Sequence, residues 1–279
     1  MTHLTPPVLL DSVLQVFTAG PSGVGVLLLL AMGGLSAAAW VLTRKNTPAV
    51  LPLKPAYRRL LEQHSAYYQQ LAPVNQKRFE KRVQQFIQLK RFIPRNMPQV
   101  TDEMKVLIAA SAVQLTFGFP NVFLLHFHTI LIYPDSYYST ISKRYHKGEV
   151  NPAYGMIVLS WKDFIEGLAT PDDSLNLGLH EMAHALRLEN VVRNDEHNFL
   201  KPDILAQWEA ESQLERAKLR NGESHFFRRY AASDDEEFFA IAVENFFERP
   251  KQFWEELPHL YQTLSLLLNQ DPLLLIGNE

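Results

Sequence analysis

Residues 175–188 read Leu-Asn-Leu-Gly-Leu-His-Glu-Met-Ala-His-Ala-Leu-Arg-Leu. Leu175, Leu179, Met182, Ala183 and Leu186 recur at helical spacing, so the segment predicts an amphipathic helix docked on a core. Just upstream, Thr170-Pro171-Asp172-Asp173 has the pattern of an N-cap, a proline at the first helical position and an acid in the first turn. Residues four apart share a helix face, so His180 and His184 can offer imidazole nitrogens to one ion, with Glu181 one step around. Two histidines and a third protein ligand around Zn²⁺, a water in the open position and a glutamate to take its proton is the arrangement of zinc hydrolysis. The expected cofactor is therefore one zinc ion per chain, with His180 and His184 as ligands and Glu181 as general base. The bland reading is two surface histidines salt-bridged by a glutamate. The small apolar residues inside the motif argue against it.

Composition narrows the rest of the site. The chain has 279 residues, 10 of them histidine and none cysteine. Thiolate zinc sites, iron–sulfur clusters, disulfides and thiol nucleophiles are thereby excluded, and a third metal ligand must be histidine or carboxylate. There are 27 Lys and Arg against 30 Asp and Glu, a formal net charge of −3. This near-balance argues against direct nucleic-acid binding, which calls for a basic excess. The best source of the third ligand is residues 230–250, YAASDDEEFFAIAVENFFERP. Ser233 and Glu236 have the spacing of a capping box, Pro250 closes the segment, and Phe239, Val243, Phe246 and Phe247 supply a buried side. Spacing leaves Glu236, Glu237 and Glu244 all open as the ligand. An acidic first turn that complements the helix dipole accounts for Glu236 without any metal.

The N-terminal residues are of another kind. Asp11 is the only charged side chain before Arg44, and residues 24–42 read VGVLLLLAMGGLSAAAWVL. A helix of that length spans about 30 Å, the hydrocarbon thickness of a bilayer. The expectation is one transmembrane helix over about residues 23–43, closing a tail and anchor of residues 1–45. A cleaved signal peptide would carry a basic leading segment, which is absent here. Arg44, Lys45, Lys54, Arg58 and Arg59 follow the span before the first acid, Glu62. Basic residues on that side predict a cytoplasmic C-terminal domain and an N-terminus outside, in the cell (inner) membrane. Residues 46–56 read as a juxtamembrane linker, and 57–279 as one folded domain.

Within that domain, periodicity predicts helices over Arg78–Phe92 and Asp102–Phe117, the second capped by Thr101. Strands are expected at His128–Tyr133 and Tyr154–Trp161, with Ser136–Val150 as loop or turn between them. Further helices follow, so the fold class is α+β, mostly helical with a small sheet. His126 and His128 read as structural, and His146, His197 and His225 as solvated.

The segment HEMAHAL, followed some fifty residues later by YAASDDEEFFAIAVENFFERP, resembles the zinc-dependent peptidases of the Mlc titration factor A family. That family's second motif runs approximately Tyr-Ala-x-x-x-x-x-Glu-x-Phe-Ala-x-x-Ser-Glu-x-Phe-Phe. Carried over residue by residue, it implies Glu237 as the third zinc ligand and matches Tyr230 to the family tyrosine. The arrangement is also similar to the catalytic domain of anthrax lethal factor, which implies that the Tyr230 hydroxyl supports the tetrahedral oxyanion. The likeness runs from about Phe79 to Leu273 and includes Lys90–Pro94, the two strand segments and Tyr261–Leu273. It implies a zincin-like domain, with the Gly155–Trp161 strand as the edge that receives an extended peptide. Glu244 becomes a candidate acceptor for a ligand imidazole. The chain departs from the family after the HExxH motif, where Leu186-Arg187 stands in place of Leu-Asp.

The function expected from these readings is a membrane-anchored zinc metallopeptidase, possessing peptide or protein substrates and aminopeptidase-like in its likeness. The alternative is a regulatory binding protein with vestigial catalysis, since family members are named for sequestering a transcriptional repressor. An intramembrane protease is excluded by Asp172, Asp173, Arg187 and Glu189 flanking the motif.

Overall fold

Apolar side chains that alternate along the β-strands sort the sheet into two faces, and this sets the architecture. The computed structural model describes residues 51–139, 143–170 and 172–276. The expected tail and membrane span, residues 46–50 of the linker and Pro171 lie outside the described residues. The chain divides into two units, Met1–Ala49 and Val50–Glu279. Among the described residues no helix is long and apolar enough to cross a membrane.

The second unit begins with α1 (Pro55–His64), α2 (Ala66–Gln70) and α3 (Pro73–Leu89), followed by β1 (Arg91–Pro94) and α4 (Asp102–Thr116). Next come β2 (Thr129–Tyr133), β3 (Tyr137–Ser139), β4 (Arg144–His146), β5 (Gly148–Asn151) and β6 (Met156–Ser160). The remainder is helical: α5 (Trp161–Ala169), α6 (Leu177–Val191), α7 (Pro202–Asn221), α8 (Asp235–Glu248), α9 (Pro250–Glu256), α10 (Pro258–Leu268) and α11 (Leu273–Ile276). The fold is thus α+β and predominantly helical, as the periodicity predicts.

The main sheet has the order β1-β2-β6-β5. β1, β2 and β6 run parallel, and β5 is antiparallel to β6, with Gly148 opposite Leu159. Ile130, Ile132, Ile157 and Leu159 point into the main core, whereas Leu131 and Val158 join Tyr137 in a small cluster on the opposite face. This is the period-2 alternation of a strand. β3 and β4 form a separate antiparallel ribbon.

Several boundaries move from their expected places. The first expected helix ends at Leu89, where Lys90 turns extended, and Phe92 lies in β1 instead. The expected loop Ser136–Val150 contains β3, β4 and most of β5, strands too short and polar to carry a periodic signal. The strand after Gly155 is not an edge: β6 is paired on both sides, and the edges of the sheet are β1 and β5. Thr170 does not cap the motif helix but ends α5. Ser174 has a left-handed φ of 60°, which breaks any helix through residues 172–176. Asn176 caps α6 instead, accepting the Leu179 N–H at 3.0 Å. Leu175, outside the helix, is exposed, while Leu179, Met182, Ala183 and Leu186 are buried as the stripe predicts.

α8 is buried almost all round, from Phe238 to Phe246. An all-round apolar helix belongs in the centre of a core, and α8 packs along α6 there. Its cap is also displaced by one residue. Asp234, not Ser233, accepts the Glu237 N–H, at 2.8 Å, and the Ser233 hydroxyl donates to Tyr230 O. Buried carboxylates on and after α6 hold the loop that enters β2. Glu189 accepts the His126 N–H at 3.0 Å, and Glu196 those of Phe123 at 2.6 Å and Leu125 at 3.1 Å.

Candidate metal centre

α6 and α8 bring three side chains to one point. His180 Nε2 lies 3.1 Å from His184 Nε2 and 3.3 Å from Glu237 Oε2, and His184 Nε2 is 3.6 Å from Glu237 Oε1. His180, His184 and Glu237 are the one group of potential ligands found close enough together to hold an ion among the described residues. Donor atoms about 2.0–2.1 Å from a tetrahedral zinc stand roughly 3.3 Å from each other, so the three spacings fit that ion. Glu237 Oε2 is buried and has no neighbour besides the imidazoles to satisfy it, as suits an atom that faces a cation. Sequence spacing left three acids open; the fold turns Glu237 inward and sends Glu236 to Arg187, 3.5 Å away.

Glu244 orients the first of the three candidate ligands. Its Oε1 accepts from His180 Nδ1 at 2.7 Å. With the proton on Nδ1, the Nε2 lone pair is directed at the ion position, the usual role of a carboxylate beside a metal-binding histidine. The Glu244 side chain is 1% exposed. It also accepts from Arg228 Nη2 at 2.7 Å, Arg228 Nη1 at 3.1 Å and the Asn176 N–H at 3.1 Å. The same Asn176 caps α6, so the start of the motif helix is fixed to the carboxylate that aims its first histidine.

Electrostatics agree with a cation site. Burial opposes charge on His180, but hydrogen bonds to Glu237 and Glu244 overcome it and raise the imidazole to about 10. Glu237 is opposed by burial too, yet the two imidazoles hold its carboxyl well below the ordinary range. Metal-free, the cluster therefore draws in positive charge.

Glu181 faces a cavity of about 770 Å³ that the three candidate ligands also line. The residue is 6% exposed, and burial raises its pKa. The edge strand makes room for it: a Cβ on Gly148 would stand 2.3 Å from Glu181 Oε1. Tyr230 lines the same cavity from a short 3₁₀ turn, Arg229–Ala232, and is 58% exposed. Partial burial and the neighbouring Glu237 charge push its phenol up. Arg187, where the family has an acid, lies over the Phe239 ring and reaches Glu209 and Glu236, tying α6 to α7 and α8.

The other histidines stay out of the ligand set. His126 Nε2 bonds Pro152 O, His128 bonds Thr129, and His197 and His225 are exposed. His146, expected to be solvated, is half-buried, stacks on Tyr137 and lines the cavity wall. Sequence reasoning missed Arg228, Asn176 and Gly148. Only Asn176 carried a local signal, as a good capping residue directly before the apolar run.

A mostly helical domain with HExxH on one helix and a distal glutamate on another is a metallopeptidase-type architecture. The chain belongs to the glucose-regulated metallo-peptidase M90 family, whose sequence profile matches residues 40–268. It is 27% identical over 250 residues to an uncharacterized protein of Synechocystis, covering 84% of this chain and 91% of the relative. It is also similar to Mlc titration factor A of Edwardsiella ictaluri, at 30% identity over 209 residues, 68% of this chain and 78% of that one. The Cronobacter sakazakii Mlc titration factor A is 28% identical over 225 residues, 73% and 82% of the two chains.

Proposed function

We propose that this chain is a zinc-dependent peptidase held at a membrane by residues 23–43, with its catalytic domain on the cytoplasmic side. The observation that carries the peptidase reading is the convergence of His180, His184 and Glu237 beside a buried Glu181. The anchor rests on the uninterrupted apolar run and the basic residues that follow it.

His180, His184 and Glu237 would hold the ion, and Glu244 keeps the His180 ring in place. Zinc, when bound, makes water nucleophilic at neutral pH and polarises a carbonyl. Glu181 accepts the proton that the attacking water loses and delivers it to the leaving amine. Burial suits it to both tasks, because a carboxylate of raised pKa holds the proton long enough to pass it on. The Tyr230 hydroxyl donates to the oxyanion of the tetrahedral intermediate. A peptide substrate lies extended along the free edge of β5, beside Gly148.

A second reading draws on the relatives named Mlc titration factor A: the domain binds a transcriptional regulator, and peptidase activity is weak or absent. Elemental mass spectrometry of the purified chain, with Glu237→Ala and Glu181→Gln beside it, tests the first reading. One zinc per wild-type chain, lost in Glu237→Ala, and turnover lost in Glu181→Gln with zinc retained would support it. A folded, zinc-free wild type would turn the argument to the regulatory role.

A further inference from the structure

The ribbon of β3 and β4 has one face anchored and one face open. Tyr137 and Ser139 are buried, and Tyr137 stacks on Tyr133 with ring centres 4.4 Å apart. Tyr138 and Tyr145 stand directly opposite each other across the two strands, on the other face, and are 52% and 77% exposed. Their rings meet edge to face at 5.5 Å. A cross-strand aromatic pair stabilises a ribbon, but most of Tyr145 remains in water. Large apolar side chains exposed at the rim of a cleft mark a binding groove. Tyr145 lines the candidate metal cleft, and Tyr138 does not.

Only Lys147 separates β4 from β5. Its carbonyl accepts the Ser160 N–H at 2.7 Å, and its ammonium pairs with Asp163 at 2.7 Å. The run from Tyr145 to Gly148 is therefore tied to β6 and α5. Gly148 stands against Glu181, so it marks where the attacking water would meet a scissile bond. Tyr145 lies three residues back along the same run, about 10 Å at ~3.3 Å per residue. A peptide extended along this edge has the same rise, so the side chain that reaches Tyr145 belongs to a residue about three positions from the scissile bond. A tyrosine ring offers a broad flat face at little cost in conformational freedom, which suits an aromatic partner.

We propose that Tyr145 is a specificity-determining residue, which selects peptides with an aromatic side chain about three residues from the scissile bond, on one side of it. The inference rests on the peptidase reading and gives that reading a substrate preference.

The test walks one phenylalanine through a ten-residue Ala/Ser peptide. The full, zinc-loaded chain should cut a bond that moves with the phenylalanine and stays about three residues from it, read by mass spectrometry of the products. Its kcat/KM should exceed that of the parent peptide about tenfold, the scale of one aromatic pair. Tyr145→Ala should bring that ratio close to one, and Tyr145→Phe, which keeps the ring, should preserve it. Tyr138→Ala breaks the tyrosine pair but leaves the cleft lining, so it should keep the ratio. An equal fall in Tyr138→Ala and Tyr145→Ala would mean that the ring only braces the ribbon, and would overturn the proposal. So would a cut indifferent to the phenylalanine, or one always next to it. Anisotropy of the same peptides, fluorescein-labelled, on Glu181→Gln separates this inference from the peptidase reading. A phenylalanine preference there, lost in Tyr145→Ala/Glu181→Gln, with no cleavage by the wild type would keep the Tyr145 contact and remove the peptidase. Cleavage without the preference would do the reverse, and no preference in either assay would overturn the proposal.

Discussion

Replacing Gly148 by alanine tests the geometry around the proposed general base. The new Cβ would lie 2.3 Å from Glu181 Oε1, 2.5 Å from Cδ and 2.6 Å from Cγ, where ordinary contact begins near 3.4 Å. The three nearest atoms all belong to one side chain, so the fold survives and Glu181 retreats, by about 1 Å. A catalytic group misplaced by about 1 Å costs on the order of a hundredfold in rate, or about 2.7 kcal/mol of barrier. His180, His184 and Glu237 are untouched, so zinc content should stay at the wild-type level. The assay pairs kcat on a peptide substrate with zinc per chain by elemental mass spectrometry. The double variant Gly148→Ala/Glu181→Gln should be no slower than Glu181→Gln alone, because both changes disable one group. A Gly148→Ala protein within twofold of wild type, or a double variant whose losses multiply, would refute the placement of Glu181 against the edge strand.

Arg228→Met should weaken zinc binding by about 10- to 100-fold in a chelator competition, since it strips two hydrogen bonds from the carboxylate that orients His180. Glu237→Ala should abolish stoichiometric zinc while the far-ultraviolet dichroism is kept, because its backbone cap on Asp234 is independent of the side chain. Glu248 links stability to pH. Burial pushes it up to about 7 from 4.5, against the opposing Asn176 hydrogen bond, so between these values the folded chain holds a proton that the unfolded chain has released. Its contribution is fully present below pH 4.5 and is lost as pH rises through 7, about 1–3 kcal/mol in all. Glu248→Gln should therefore gain stability relative to wild type between pH 5 and pH 8 in urea unfolding, and a constant difference would refute the raised pKa.

The parts of the site that could be read in sequence are those whose information is local. His180, Glu181 and His184 share two turns of one helix, and the helical period alone places both imidazoles on one face. Glu237 was different. Three acids lay within reach of the same reasoning, and only likeness to a family singled one out; the inward turn of Glu237 depends on α8 being capped by Asp234 rather than Ser233. Both expected caps, Thr170 and Ser233, were sound local chemistry. They lost to neighbours because Ser174 takes a left-handed backbone and because Asp234 reaches the Glu237 amide. The edge strand was misassigned for a related reason: β5 is four residues of mixed polarity, and nothing in Gly-Glu-Val-Asn declares that it will pair with β6.

Helix periodicity, the histidine pair with its adjacent glutamate, the absence of thiol side chains and the α+β class follow from the order of residues, because each depends on neighbours a few positions apart. Tertiary structure decided which carboxylate stands beside the two histidines, that Arg228 and Asn176 converge on Glu244, that Gly148 yields its space to Glu181, and that Glu248 bonds Asn176. These are contacts across 16 to 72 positions of chain, as between Arg228 and Glu244 or Asn176 and Glu248. A side chain's chemistry is local to the sequence, but its partner is chosen only when the core closes and burial makes every unpaired charge costly.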